Sequence, residues 1–137
     1  MVDEAQERAG YLFDTNIVIA LLSGDSVVVQ LATELDVQSV PIYFSVITEC
    51  EIYSYLKPNE AEHVSTLFHP SKCIVVTSEI ARMAASMRCE LRQTDRKLKT
   101  PDALIAATAV QHRLTLVSRD SDMRFIQELY HVPLICP

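Results

Sequence analysis

The chain of 137 residues holds only two glycines, Gly10 and Gly24, and no tryptophan. With so little glycine there is no G-x-G-x-x-G or Walker A loop to cradle phosphates on backbone N–H groups, which excludes a dinucleotide or P-loop site. The four cysteines, Cys50, Cys73, Cys89 and Cys136, stand singly, without the C-x-x-C pairs of a zinc site or the density of a disulfide-stapled domain, and read as buried, reduced thiols. His63, His69, His112 and His131 are equally scattered, and no pair has the i, i+4 spacing of a helical metal site. No apolar run approaches the roughly 18 to 20 residues that span a bilayer, and the opening MVDEAQERAG is acidic and polar where a signal peptide is basic and then apolar. The expectation is a cytoplasmic protein with no membrane partner.

Basic charge is also in deficit. Twelve Lys and Arg face eighteen Asp and Glu, a net charge of −6, which argues against a protein that grips nucleic acid by general electrostatics. An acidic chain can still bind a polyanion when divalent metal neutralises its carboxylates and basic residues gather near the site, so the distribution of charge decides. A composition of 49% hydrophobic and 22% charged residues is ordinary for a globular domain, and the length suits one core. Residues 10–137 are expected to form that domain behind a flexible tail over residues 1–9.

What is present is an alternation of short β-like runs with longer helical ones, the signature of a parallel sheet flanked by helices. Strands are expected over residues 11–13, 41–44, 74–76, 115–117 and, at an edge that tolerates Pro133, 132–135. An apolar run over 17–22 breaks at 23–25, and a helix follows over 26–35. Ser45 is placed to cap a helix running to Tyr55, Asn59 one through Phe68, and Ser78 a long one reaching Gln93. Thr100-Pro101 opens a helix whose Ala103, Ala106, Ala107 and Val110 suit close packing on a sheet, and a short helix follows Asp122.

The acids fall at a repeated place in this scheme. Asp14 follows the first strand, Glu51 lies in the helix after the second, Asp102 opens the alanine-rich helix, and Asp120 and Asp122 follow the fourth strand. In an open parallel sheet the strand C-termini share an edge, and ligands bind in the crevice where the strand order switches. Singly, Asp14, Asp102, Asp120 and Asp122 each have a helix-cap or first-turn explanation. Together, with Glu51 inside a helix where capping cannot account for it, they point to a converged carboxylate site. Carboxylates held close raise one another's pKa unless a cation neutralises them, and oxygen-only ligation favours Mg²⁺ or Mn²⁺. Such ions polarise a phosphoryl oxygen and generate hydroxide for in-line attack.

Four segments in order, YLFDTNIVIALLSGD, FSVITECEIYSYL, TPDALIAATAV and LVSRDSDMRFI, resemble motifs of the PIN-domain nucleases, in particular the bacterial VapC-type toxins, over nearly the whole chain. The resemblance implies a PIN-like α/β fold, a central parallel sheet of about four or five strands with helices on both faces. It implies a Mg²⁺-dependent endoribonuclease, with Mn²⁺ as an alternative ion, acting as the toxin of a toxin–antitoxin pair. Its metal-binding and catalytic acids would be Asp14, Glu51, Asp102 and Asp120, with Asp122 as the alternative fourth acid, and Asn16 and Ser118 as polar helpers. Glu49 competes with Glu51, and since on a helix the two point roughly 200° apart only one can face the site; the register of the family motif, counted from Ser45 and Thr48, implies Glu51. Met123-Arg124-Phe125 replaces the family's D-F pair, and Asp120 stands where many members carry Asn, which leaves the fourth acid open. The resemblance also implies a homodimer and an antitoxin partner.

Between Arg88 and Lys99 five basic residues face two acidic ones, leading into Asp102, and Arg92, Arg96, Lys97 and Lys99 are candidate holders of RNA phosphates beside their plain reading as a solvated helix end. The apolar residues from Ile17 to Leu22, with Val27, Val28 and Leu31, exceed one helical face; core burial is the default, and an antitoxin helix is the other use for such a surface. A haloacid dehalogenase-type phosphatase is disfavoured because Asn16 breaks its D-x-D, and a receiver domain because no acidic pair sits near the first strand. The remaining rival is a catalytically inactive PIN module that binds RNA or a protein partner.

Overall fold

In the computed structural model, residues 9–137 are described, and the tail expected over residues 1–9 lies outside them except for Ala9, whose N–H donates to the Arg113 carbonyl. Five strands, β1 (Tyr11–Phe13), β2 (Ile42–Ser45), β3 (Cys73–Ile74), β4 (Thr115–Val117) and β5 (Leu134–Ile135), form one sheet in the order β3-β2-β1-β4-β5. Every pairing is parallel. Parallel neighbours cannot be joined by tight turns, so helices carry the chain back across the faces. These are α1 (Thr15–Leu22), α2 (Ser26–Val37), α3 (Val46–Tyr53), α4 (Ala61–Leu67), α5 (Ser78–Arg92), α6 (Thr100–Gln111) and α7 (Phe125–Tyr130). This is the PIN-like α/β arrangement that the sequence led us to expect.

Side chains alternate across the strands and divide the core in two. Leu12 and Leu116 point to one face and bury with α5, α6 and α7 through Ile80, Met87, Ile105, Ala106 and Phe125. Phe13 and Val117 point to the other and bury with α1, α2, α3 and α4 through Ile17, Val28, Ile52 and Val64. Phe13, Phe44 and Phe68 stack edge to face there, with centroids 6.3 and 5.1 Å apart. The alanines of α6 are wholly buried, as their small size suggests. Gly10 is required by close approach: a Cβ there would lie 2.5 Å from the Pro41 carbonyl oxygen, at the start of the β1–β2 pairing.

Several local expectations shift, and the cysteines expected to be buried are not: Cys50, Cys89 and Cys136 are exposed and Cys73 is partly buried, all as free thiols. Asn59 caps no helix; residues Pro58–Glu60 form a 3-10 turn and Glu60 precedes α4 without a side-chain cap, because Pro58 sets the turn first. Thr77 rather than Ser78 caps α5, its hydroxyl accepting from the Ile80 N–H. The third strand stops at Ile74, leaving Val75 63% exposed, and β5 begins only at Leu134, past Pro133. The helix after Ser45 ends at Tyr53, and the short helix after Asp122 is preceded by a 3-10 turn over Ser121–Arg124. Among the described residues no single helix is long and apolar enough to cross a membrane.

Candidate active site

From β1 the chain moves outward to β2 and β3, then returns to place β4 on the opposite side of β1. The switch point therefore lies between β1 and β4, where Leu12 pairs with Leu116 and Phe13 with Val117. That register sets Asp14 and Ser118 side by side just past the strand ends, and the Asp14 N–H donates to the Val117 carbonyl at 2.9 Å.

Asp14 is only 2% exposed. Its Oδ1 accepts from the Thr15 N–H at 2.8 Å, capping α1, while its Oδ2 accepts from the Ser118 hydroxyl at 2.7 Å and the Asn16 amide at 3.2 Å. The cap explanation and the site explanation thus hold together, each using a different oxygen. Burial raises the Asp14 carboxyl above its ordinary range, the Ser118 and Thr15 hydrogen bonds oppose that, and the charges of Asp120 and Glu51 add to it.

Glu51 reaches the same point from α3. The Thr15 hydroxyl donates to Glu51 Oε1 at 2.7 Å and lies 3.0 Å from the Thr48 hydroxyl. Since Thr15 has one hydroxyl proton, Thr48, wholly buried, supplies its own to Thr15. Glu49 faces elsewhere, beside Cys73, whose thiol is pushed up to about 11 by burial and then by the Glu49 charge. The two glutamates therefore diverge as the helical spacing requires, and it is Glu51 that joins Asp14.

Asp102, in the first turn of α6, has its carboxyl pushed up to about 6, by burial first and then by Asp14, Asp120 and Glu51, with Lys99 opposing. Asp120 accepts the Asp122 N–H at 2.9 Å as the cap of the 3-10 turn, and its own N–H donates to the Ser118 hydroxyl. Its charge bears on both Asp14 and Asp102. Asp122 is exposed and figures in neither cluster of influences. Four elements thus bring Asp14, Glu51, Asp102 and Asp120 within electrostatic reach of one another and leave Asp122 at the rim.

Of the basic candidates, Lys99 alone is among the charges that act on Asp102. Arg92 turns back to the Arg88 carbonyl at 3.3 Å, Arg96 stands 3.8 Å from Glu128 of α7, and Lys97 is exposed. Sequence reasoning did not single out Thr15, Thr48, Asp25 or Arg119. The first two sit inside quoted motifs as the hydroxyls nearest the acids; Arg119 follows Ser118, but nothing local pairs it with Asp25, where the two meet at 2.8 Å. That contact holds the Asp25 carboxyl down to about 2, helped by the Val28 N–H. A cavity of about 420 Å³ lies apart from the four acids, between α2 and α4, lined by Phe13, Leu21, Ala32, Val40 and Leu67.

Residues 11–129 match the PIN domain family. The chain belongs to this family. Among solved structures, this PIN domain is similar to FitAcB from Neisseria gonorrhoeae, at 25% identity and a TM-score of 0.73, covering 93% of this chain and 97% of that one. It is similar to a toxin–antitoxin complex from Klebsiella pneumoniae at 30% identity and a TM-score of 0.68, covering 93% and 98%. VapBC-5 of Mycobacterium tuberculosis, a member of the VapBC family of toxin–antitoxin systems, shares the fold at 24% identity and a TM-score of 0.63, covering 94% and 99%. Among curated proteins none matches the sequence.

The donor set suits a hard divalent cation. It is carboxylate oxygen throughout, and the charges of Asp14, Asp120 and Glu51 add to burial in raising Asp102, a repulsion that such a cation relieves. Among the described residues no three acidic, His or Cys side chains stand close enough to hold an ion by themselves. Mg²⁺ tolerates that arrangement, because it keeps several waters and needs only one or two direct carboxylates.

Proposed function

We propose that this PIN domain is a Mg²⁺-dependent endoribonuclease, with Mn²⁺ able to substitute, and that it is the toxin of a type II toxin–antitoxin pair. The observation that carries the activity is the convergence of Asp14, Glu51, Asp102 and Asp120 at the β1/β4 switch point, with Asp102 pushed up to about 6. Carboxylates gathered at such a cost, which the Lys99 charge opposes at Asp102 without cancelling, suit a cation site better than a structural ion pair.

In this reading one or two of Asp14, Glu51, Asp102 and Asp120 would hold the ion directly and the others would reach it through its waters. When bound, it polarises a phosphoryl oxygen and lowers the pKa of water for attack on phosphorus. Ser118 and Asn16 keep Asp14 aimed, and the Thr48 to Thr15 hydroxyl chain keeps Glu51 aimed. Lys99, beside Asp102, holds a substrate phosphate, with Arg92, Arg96 and Lys97 adding charge along the approach. No side chain need become a covalent nucleophile.

The toxin assignment rests on the likeness to the Klebsiella pneumoniae toxin–antitoxin complex at 30% identity over nearly the full chain. Exposed apolar residues on α1 and α2 support an antitoxin partner: Ile17, Val18 and Val28 enter the core, but Ile19 and Val27 remain 53% and 52% exposed. A homodimer and a cytoplasmic setting belong to the same reading.

The deciding experiment incubates purified, antitoxin-free protein with structured and single-stranded RNA, in Mg²⁺, in Mn²⁺ and in chelator, beside Asp14→Asn. Metal-dependent cleavage that the variant loses is the expected outcome. Folded wild-type protein that binds RNA without metal-dependent turnover would instead establish an inactive binding module.

A further inference from the structure

Arg119 makes four hydrogen bonds from the loop between β4 and the 3-10 turn. Its Nη1 and Nη2 donate to Asp25 Oδ2 and Oδ1 at 2.8 and 3.1 Å, its Nε donates to the Pro137 carbonyl at 2.8 Å, and its backbone N–H donates to Asn16 Oδ1 at 3.0 Å. Asp25 is itself tethered, its Oδ1 accepting from the Val27 and Val28 N–H groups at the start of α2. Asp25 is therefore fixed to α2, and the Arg119 backbone is held in its loop by Asn16 of α1, an anchoring that a surface ion pair between two free side chains lacks.

The consequence falls on Asn16. Because Oδ1 accepts from the Arg119 N–H, the amide nitrogen must face Asp14 Oδ2 at 3.2 Å and the Ser118 hydroxyl at 3.3 Å. The opposite orientation would aim a carbonyl oxygen at a buried carboxylate. We propose that Arg119 is a positioning residue of the acid centre: its fork onto Asp25 seats the 118–120 loop so that its N–H sets the Asn16 amide and, through it, Asp14. The inference rests on the nuclease reading for its effect on activity. Three of the five guanidinium N–H groups already have acceptors within the protein, which favours Arg119 acting on the centre over gripping RNA.

The test compares wild type with Arg119→Gln, Asp25→Asn and the double variant. Asparagine at 25 keeps the α2 cap while removing the charge. The readouts are the Asn16 side-chain amide resonances by NMR, with melting to show each variant folded, and kcat and KM on single-stranded RNA in Mg²⁺. Both single variants are expected to move the Asn16 resonances and lower kcat by about 10-fold at nearly constant KM, with the double variant no worse than either. Arg119→Lys, which keeps charge without the fork, should behave like Arg119→Gln and serves if the latter fails to fold. Unmoved Asn16 resonances overturn the inference. So does a raised KM in Arg119→Gln with an unaffected Asp25→Asn, which would place Arg119 on the RNA. If wild type cleaves no RNA, the nuclease reading fails, and the resonances still decide the clamp.

Discussion

The Ser118 hydroxyl donates to Asp14 Oδ2 over 2.7 Å, joining two residues 104 positions apart at the ends of neighbouring strands. Ser118 is 1% exposed and also accepts from the Asp120 N–H, so one hydroxyl ties the buried acid to the loop carrying the fourth. Replacing Ser118 with Ala should leave Asp14 short of a donor and the Asp120 N–H short of an acceptor. The expected cost is about 1–3 kcal/mol of stability, read by denaturant titration. A value near zero would show that water takes over both contacts.

Glu51 and Glu49 separate function from position. Glu51→Gln keeps the shape of α3 and an acceptor for Thr15 but removes the charge, and should lower metal-dependent RNA cleavage by about 100-fold or more. Glu49→Gln, on the Cys73 side, should stay within about twofold of wild type. Equal losses would contradict the orientation of α3 toward Asp14.

Asp120 and Asp122 can be told apart in the same assay. Asp120→Asn retains an oxygen to cap the Asp122 N–H, so its effect reports charge rather than loop folding. A loss of about 10-fold or more is expected for Asp120→Asn and little change for Asp122→Asn. The reverse ranking would move the fourth acid to the rim.

Metal-free protein should respond to pH through Asp102. Its carboxyl is pushed up to about 6 from an ordinary 3.8, so the folded state binds that proton more tightly than the unfolded state. The stability this contributes is fully present below about pH 4 and is lost as pH rises through about 6. In chelator at pH 7, Asp102→Asn should therefore melt higher than wild type, by about 3 °C after discounting for solvent screening of a half-exposed group. Saturating Mg²⁺ should narrow the gap by stabilising wild type. A variant that melts lower in chelator would mean that Asp102 is not under electrostatic strain.

Among the basic residues, Lys99→Glu should weaken RNA binding more than Arg96→Glu, since Lys99 acts on Asp102 while Arg96 is engaged with Glu128. Loss of one phosphate contact would reduce the slope of log K against log salt by about 0.7. Identical slopes in Lys99→Glu and wild type would remove Lys99 from the substrate path.

Much of this arrangement is legible in the chain. The strand runs over 11–13 and 115–117, the Ser45 cap and the small face of α6 follow from alternation, capping chemistry and side-chain volume, all of which act over a few residues. Element ends were less legible where two local signals compete, as at Thr77 and Ser78, or where Pro58 sets a 3-10 turn before Asn59 can cap. The acids stood out because Asp14 and Asp120 follow strands, Asp102 opens a helix and Glu51 sits inside one where capping cannot explain it, and the helical period already separated Glu49 from Glu51.

By itself the sequence determined the order of strands and helices, which residues carry charge, and which helix face Glu51 occupies, because these depend on local geometry. Only the tertiary structure decided that β1 and β4 are neighbours, and with that pairing came the Asp14–Ser118 bond, the choice of Asp120 over Asp122 as the acid acting on Asp102, and the reach of Arg119 to Asp25. Those contacts join residues 94 to 104 positions apart in the bonded cases, and such distances close only when buried apolar area on two sheet faces offsets the entropy of ordering the chain between them.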